Sequence, residues 1–283
     1  MVITSVIIPS RNEPYLQATL DSLYANAGAE IETIIIQDGP TDYPLEKYYP
    51  SMIILFNPKP LGIRTAINQG VNISRGEYLI KLDAHCIIGP NFVKKLKNDI
   101  RENWVTVARR FTLDLETMTP QSRAVDYYYL SCPWTHPKSF MMQSCPWITR
   151  TEDRMNNDMV DDLMCFQGSM WMMSRKHWNS LGELEKGMSY VEHHEISMKT
   201  WLSGGRVTIN KNAWYAHPKV NTGGYKMDMN QVYQEHDRSA RYWVDQPGFS
   251  ELIDRFWPLP TEHNRHRLEK YFWPENWKDF YNV

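Results

Sequence analysis

Short, mainly apolar runs alternate with segments of helical periodicity along the first hundred residues of the chain. The apolar runs predict strands within "VITSVIIP", "EIETIIIQDG", "SMIILFNP" and "EYLIKLDAH". Between them, "EPYLQATLDSLYANAG" and "LGIRTAINQGVNISRG" carry apolar residues at the three- and four-residue spacing of amphipathic helices. Because apolar strands separated by helices are typical of parallel sheets, the pattern predicts an α/β fold. Its sheet is expected to be mostly parallel and covered by helices on both faces.

This alternation is lost over residues 110–165, which are polar, aromatic and interrupted by proline. Such a stretch predicts a long insertion or lid. Regular structure is expected to return with a strand and short helix in "CFQGSMWMMSRKHWNSLG", a helix in "VEHHEISMKTWLSGG" and a strand in "RVTINKNAWYAH". The remaining residues, 221–283, predict a helical and aromatic tail. Since no stretch has linker composition, we expect one domain over residues 1–283, with internal boundaries after residues 109 and 220.

Composition narrows the class of protein only slightly. The formal net charge of −2 gives no overall electrostatic reason to bind nucleic acid or an anionic membrane. No segment approaches the length of a membrane span, and the apolar run at the N-terminus is too short for a signal peptide. The four cysteines (Cys86, Cys132, Cys145 and Cys165) lack CxxC spacing, so reduced thiols in the cytoplasm are expected. The 11 Trp and 16 Tyr suit either stacking on sugar rings or bases, or packing in a core.

Polar clusters follow three of the predicted strands, at "SRNE", "QDG" and "DAH". Ligands of open α/β sheets bind outside the carboxyl ends of the strands, so these clusters are expected to share one edge. Asp83 and His85 are two residues apart and therefore point to the same side. Together they could hold a divalent metal ion, or they could form only a turn before the next helix.

The series "SVIIPSRNE", "IIIQDGPTD" and "LGIRTAINQGVNISRGEYLIKLDAH" resembles the nucleotide-sugar-binding half of family 2-type glycosyltransferases, which have the GT-A fold. The form "LDAHC" is similar to the polypeptide N-acetylgalactosaminyltransferase branch, whose metal motif ends in His. "FQGSMWMMSRKHW" and "VEHHEISMKTWLSGGRV" resemble the acceptor-side segment of that branch, and "AWYAHP" supplies a later His. The resemblance therefore implies that residues 1–109 bind a nucleotide sugar and that residues 110–220 form the acceptor half.

The resemblance also implies a set of site residues. Asp83, His85 and His217 would bind the metal, and a mixed carboxylate and imidazole set suits Mn²⁺ better than Mg²⁺. Asp38 would accept a hydrogen bond from the uracil edge of a UDP-sugar, although Asp-Gly is also an ordinary turn. The remaining residues expected near the nucleotide are Pro9, Arg11, Glu13 and Arg64.

The segment "VEHHEIS" carries the candidate catalytic groups. Inverting relatives have an acidic pair here, one member of which acts as general base, and the retaining branch has a Glu-Asn pair. Glu192-His193 matches neither pattern, so the stereochemistry stays open, with the surrounding motifs favouring retention. Glu192 is the first candidate for a polar role at the sugar or acceptor, and His193 could be a base. Alternatively, one of the adjacent histidines is packed in the core and Glu195 only supports its helix.

The resemblance predicts metal-dependent transfer of a sugar from a UDP-sugar to a hydroxyl, by a cytoplasmic enzyme of bacterial or phage type. One candidate acceptor is a hydroxymethylated base flipped out of DNA, because aromatic residues around Tyr127 and Trp134 are interleaved with basic ones. The basic residues concerned are Arg109, Arg110, Arg123 and Lys138. An aromatic sugar-binding lid explains the same residues, and a surface-glycan or lipid-linked precursor is another possible acceptor.

Two other classes of function compete with this one. The first is a sugar- or nucleic-acid-binding module that has lost catalysis. Its weakness is that a degenerate site has no physical reason to keep all three metal ligands. The second is a nucleotidyltransferase, which would need a glycine-rich phosphate loop that "IPSRNEPY" lacks. The sequence gives no indication of the oligomeric state.

Overall fold

The structure is a computed structural model and describes residues 3–130, 134–136, 139–186, 191–219, 222 and 228–256. The first hundred residues contain the four strands and two helices that the apolar pattern predicts, followed by a short strand and a helix within residues 87–99. These elements are β1 (Thr4–Ser10), α1 (Leu16–Asn26), β2 (Ile31–Asp38), β3 (Met52–Asn57), α2 (Ile63–Ile73), β4 (Tyr78–Leu82), β5 (Ile87–Ile88) and α3 (Phe92–Asp99). Every residue of β2 is buried, so both faces of the sheet are covered at that strand.

Residues 110–165 are largely regular, in contrast to the long loop that their composition predicts. The elements from residue 104 onwards are β6 (Trp104–Asp114), β7 (Thr119–Val125), β8 (Tyr128–Leu130), β9 (Trp134–His136), β10 (Ser139–Met141), β11 (Ser144–Pro146), α4 (Ile148–Arg154) and β12 (Val160–Asp162). Strand β6 continues across the boundary predicted after residue 109 and pairs with β7 beyond it. The division of the chain into functional halves stays a prediction.

The last part of the described chain returns to the main sheet and then becomes helical. Its elements are β13 (Met170–Ser174), α5 (Arg175–Leu181), α6 (Glu192–Leu202), β14 (Arg206–His217), α7 (Met229–Val244) and α8 (Phe249–Phe256). Helices α7 and α8 lie within residues 221–283, and the extent of a helical tail there stays a prediction. The segment "NRHRLEKYFWPENWKDFY" lies outside the described residues.

The main sheet has the strand order β12-β14-β6-β13-β4-β1-β2-β3, with β5 and β7 pairing off this path. Within the described chain, six of these eight strands run in one direction and β12 and β13 are reversed. The expectation of a mostly parallel α/β sheet is therefore confirmed. The carboxyl ends of β1, β2, β4 and β14 lie at the same edge of this sheet.

Much of the aromatic excess is packed in the core. Trp171 and Trp178 stack on each other, with ring centroids 5.7 Å apart, and both are buried. Tyr127, Tyr128 and Tyr129 are also buried. For these five residues, packing explains the aromatic content better than a ligand surface does.

Two further findings concern membrane-spanning helices and cysteines in the described residues. Among the described residues, no helix is both long and apolar enough to cross a membrane. Cys86 and Cys165 carry free thiols, and Cys132 lies outside the described residues.

Candidate active site

A cleft of about 740 Å³ opens at the edge where the parallel strands end. The polar clusters that follow β1, β2 and β4 all contribute to its lining, as do the start of α6, the end of β14 and one side of α7. The residues of the lining that the sequence singles out are Pro9, Arg11, Glu13, Asp38, Asp83, His85, Glu192, His193 and His217. Arg64 is absent from the lining.

Asp83, His85 and His217 lie together, with one potential ligand atom from each within 4.8 Å of the others. His217 Nε2 is 3.1 Å from Asp83 Oδ2 and 3.0 Å from His85 Nε2. Two imidazole nitrogens this close to each other both face a carboxylate oxygen. This arrangement is typical of ligands that share one small cation. One oxygen and two nitrogen donors suit Mn²⁺, so the residues present fit the predicted ion.

The sheet explains how two distant parts of the sequence meet at this point. The Asp83 N–H donates to the Ser169 carbonyl at 2.9 Å, which extends the β4–β13 pairing to Asp83. Strand β5 then pairs with the end of β14, with Ala216 opposite Ile87. This pairing carries His217 to the side of Asp83 and His85.

His85 is held in the orientation that metal binding requires. Its Nδ1 lies 2.5 Å from Glu13 Oε2 and 2.8 Å from Thr222 Oγ1. When Nδ1–H donates to the Glu13 carboxylate, Nε2 keeps its lone pair and faces Asp83 and His217. A carboxylate behind a histidine ligand fixes the tautomer and raises the basicity of the ring. Glu13 therefore orients His85, a role that the position of Glu13 in the sequence does not reveal.

We expect Glu13→Gln to weaken Mn²⁺ binding by about 10- to 100-fold, because an amide orients His85 less firmly and adds no negative charge. The measurement is titration of the purified protein with Mn²⁺, with free Mn²⁺ followed by electron paramagnetic resonance. Glu235→Gln is the matched control, since Glu235 is equally buried but its side chain accepts from Gln231. Equal loss in both variants would contradict the assignment.

Lys81 is a buried lysine whose role the sequence does not indicate. It lies two residues before Asp83 on β4, so both side chains point to the same side of the sheet. Its Nζ donates to Asp83 Oδ1 and, at 2.5 Å, to the Gly168 carbonyl. Burial raises the pKa of Asp83. The positive charge of Lys81 and a hydrogen bond from His217 together lower it by more, so the net pKa lies well below its usual value. Asp83 is therefore ionised at neutral pH.

Asp38 has a structural task at the cleft wall. Its carboxylate accepts from the backbone N–H groups of Leu61 at 2.8 Å and Gly62 at 2.9 Å, and from Asn57 Nδ2 at 3.0 Å. Gly62 has a φ of 90°, a conformation that favours glycine, and α2 begins one residue later. Asp38 thus fixes the turn beneath the cleft. A contact between Asp38 and a uracil ring stays a prediction.

Arg64 lies in the core rather than in the cleft. It forms an ion pair with Glu195, and both side chains are almost fully buried. Glu195 also binds Lys199 Nζ at 2.6 Å and accepts from the Glu185 N–H. A direct role of Arg64 at a nucleotide stays a prediction, and its observed contact ties α2 to α6.

Glu192 and His193 lie at the start of α6, facing the cleft. Glu192 Oε2 is 3.9 Å from His193 Nδ1. Burial raises the pKa of Glu192, but His193 and Lys81 lower it by more, so the net pKa is lowered and the carboxylate is ionised. A Cβ at Gly168 would overlap Glu192 Oε1, so any larger residue there would displace this carboxylate from its present position.

His194 points away from the cleft and into the protein. Its Nε2 lies 2.9 Å from Ser144 Oγ, and burial lowers the pKa of the ring well below its usual value. The ring is therefore neutral and packed, in line with the alternative weighed for one of the two histidines. Other lining residues were also missed, because nothing in their local sequence marks them: Gln167, Lys219, Asp228, Gln231 and His236.

Two of the four basic residues considered for nucleic acid, Arg109 and Arg110, are engaged inside the protein. Arg109 binds the buried Asp126 through two nitrogens, and Arg110 donates to Tyr128 Oη at 3.0 Å. Arg123 pairs with Glu152 on the surface. Lys138 and the side chain of Trp134 lie outside the described residues.

Comparison with known proteins gives a consistent result. A sequence profile described as Glycosyl transferase family 2 matches residues 5–181. Polypeptide N-acetylgalactosaminyltransferase 10 of Homo sapiens is 26% identical over 259 residues, which cover 86% of this chain and 42% of that protein. This chain thus spans less than half of the length of that relative.

Solved structures share the fold at low sequence identity. The structure of GalNAc-T7 with UDP, GalNAc and Mn²⁺ covers 100% of this chain and 55% of its own, with a TM-score of 0.67 and 18% identity. S. aureus TarS 1–349 in complex with UDP-GlcNAc covers 89% of this chain and 66% of its own, with a TM-score of 0.54 and 14% identity. The predicted GT-A fold is confirmed.

Proposed function

Because this chain belongs to glycosyl transferase family 2, we propose that it transfers a sugar from a UDP-sugar to a hydroxyl acceptor, with Mn²⁺ bound by Asp83, His85 and His217. The observation that carries the proposal is this ligand set, gathered at the carboxyl ends of parallel strands in a cleft of about 740 Å³. The cleft has room for a nucleotide sugar. The similar GalNAc-T7 structure contains UDP, GalNAc and Mn²⁺, which supports both the donor and the ion.

The protein's own residues would have separate roles in this reaction. Asp83, His85 and His217 hold the ion, whose charge would offset the negative charge that develops on the departing diphosphate. Glu13 keeps His85 in the tautomer with a free Nε2. Asp38 fixes the turn at Leu61 and Gly62, against which the uracil ring would lie.

Glu192 and His193 act at the sugar and the acceptor in this proposal. His193 takes the proton of the attacking hydroxyl, because its imidazole lines the cleft next to the Glu192 carboxylate. The ionised Glu192 carboxylate, 3.9 Å away, stabilises the imidazolium that results. Direct attack assisted by a base inverts the anomeric centre, whereas the resembled branch retains it. The anomeric configuration of the product, read by nuclear magnetic resonance, therefore tests this role.

We expect His193→Gln to lower the turnover number about 100-fold, the lower end of what a general base contributes. The affinities for Mn²⁺ and UDP should stay within about threefold, because His193 does not contact the metal ligands. Steady-state kinetics and calorimetry measure these quantities. His194→Gln is the control, since the neighbouring ring is packed outside the cleft lining and should affect unfolding more than turnover. Equal losses of turnover in the two variants would contradict the role of His193.

The acceptor is proposed only as a hydroxyl compound. A hydroxymethylated DNA base has weaker support than the sequence suggested, because Arg109 and Arg110 are engaged inside the protein. A glycan precursor that carries hydroxyl groups suits a cleft lined by Gln167, Glu192 and Gln231. Measuring DNA affinity at several salt concentrations tests this acceptor, because affinity that depends on phosphate contacts falls steeply as the salt concentration rises.

The deciding experiment is mass spectrometry of UDP-sugar consumption by the purified protein with Mn²⁺, across a panel of UDP-sugars. We expect slow hydrolysis of one donor even without acceptor, and faster consumption when glycan precursors or hydroxymethylated DNA supply the right hydroxyl. If no donor is consumed and UDP also fails to bind, the proposal is wrong and a non-catalytic binding module is favoured.

A further inference from the structure

Lys81 is a charged residue buried in the central strand β4. Only 1% of the residue is exposed, and on β4 it sits between Leu79 and Asp83 on the same side of the strand. Its neighbours across the sheet are Ile7 and Trp171. A buried lysine is costly unless it is paired, so its partners indicate what the charge is for.

The partners of Lys81 belong to the candidate active site. Its Nζ donates to Asp83 Oδ1, while Asp83 Oδ2 faces His217 and His85. One oxygen of the metal-binding carboxylate is therefore occupied by an ammonium group and the other is directed at the metal position. Lys81 also lines the cleft, where Glu192 is close enough to interact with its charge.

An ammonium group beside a metal position has two opposite electrostatic effects. It repels a divalent cation that arrives alone, because like charges at short range in a buried site cost free energy. It attracts an anionic diphosphate at the same place. A site of this kind discriminates between a free cation and a cation accompanied by its diphosphate.

We propose that Lys81 is a positioning residue that holds one oxygen of Asp83 and, by its charge, opposes the binding of a free divalent cation while favouring the diphosphate of the donor. The inference rests on the proposed function for the identity of the anion, a nucleoside diphosphate. The cation part depends only on the observed contacts of Lys81 and Asp83. The result is a site that fills when cation and donor are both present.

The test compares Lys81→Met and Lys81→Gln with the native protein at pH 7.5. Without nucleotide, we expect both variants to bind Mn²⁺ at least about tenfold more tightly, because the repulsive positive charge is gone from both. With the metal removed by chelation, we expect both to bind UDP about tenfold more weakly. Glutamine keeps a hydrogen-bond donor, so agreement of the two variants assigns the effect to charge.

Damage to the fold cannot produce this result, because it would weaken the binding of both Mn²⁺ and UDP. Lys211→Met is the matched control. Lys211 is a buried lysine of the same sheet whose Nζ donates to the carbonyls of Arg154 and Asn157, the latter at 2.7 Å. This control should leave both affinities unchanged. Mn²⁺ binding that is equal or weaker in both Lys81 variants overturns the proposal. If the native protein binds Mn²⁺ but no UDP, the proposed function is wrong while the Mn²⁺ comparison still decides the role of Lys81.

Discussion

Asp83→Asn is expected to abolish measurable Mn²⁺ binding, with an affinity loss of at least about 100-fold, since it removes a ligand rather than a group behind one. Donor turnover should fall about 1000-fold, because a bound ion supplies several kcal/mol of charge stabilisation at the leaving group. The substitution is isosteric, but it leaves Lys81 beside a neutral amide, so folding must be checked by circular dichroism. Mn²⁺ titration and steady-state kinetics give the two results.

Asp38→Asn is the control for the metal part of this prediction. Asp38 lines the same cleft, yet it contacts the turn at Leu61 and Gly62 and not the metal ligands. It should keep native Mn²⁺ affinity. An Asp83→Asn protein that is folded and still binds Mn²⁺ within about threefold of native would rule out the site at Asp83, His85 and His217.

Glu195→Leu is expected to lower the free energy of unfolding by about 3–5 kcal/mol, the cost of leaving the opposite charge of a buried ion pair without its partner. Arg64 and Glu195 have side chains only 2% and 7% exposed, so water cannot take over from the lost carboxylate. Urea unfolding followed by circular dichroism measures the change. Lys199→Met should cost no more than about 1 kcal/mol, because Lys199 is partly exposed and makes a pair within its own helix.

The double variant Arg64→Met with Glu195→Leu separates structure from ligand binding. Replacing both charges with apolar side chains should recover much of the lost free energy. Recovered stability with unchanged UDP affinity would assign Arg64 to the scaffold. A fall in UDP affinity at recovered stability would instead place Arg64 near the nucleotide, as the family resemblance implies. No recovery in the double variant would contradict the ion pair as the source of the loss.

The local sequence was sufficient for most of the scaffold. Apolar periodicity identified β1, β2, β3, β4 and the helices α1 and α2, because burial of one face depends on neighbouring positions along the chain. It failed over residues 110–165, where "TPQSRAV" forms β7 although most of its side chains are exposed. A strand that pairs at the edge of a sheet need not be apolar, so hydropathy does not mark it.

The candidate metal ligands also differ in how much the local sequence says about them. The local sequence places Asp83 and His85 together directly after β4, but it left a metal site and a simple turn as alternatives, and the family resemblance favoured the metal site. His217 was assigned by resemblance alone, and only the pairing of β5 with β14 brings it to Asp83. Lys81 was hidden in an apolar run, where its partners Asp83 Oδ1 and the Gly168 carbonyl cannot be read from the sequence.

The sequence by itself thus determined the order of the strands β1 to β4 and the helices α1 and α2, and the edge of the sheet at which the candidate site lies. Tertiary structure alone decided that Arg64 pairs with Glu195, that Glu13 supports His85, and that the aromatic residues at 127–129 are buried. The physical reason is the range of the interactions. Backbone hydrogen bonding and amphipathic periodicity repeat over a few residues, whereas ion pairs and ligand sets join residues that are distant in the chain and adjacent only after the sheet has formed.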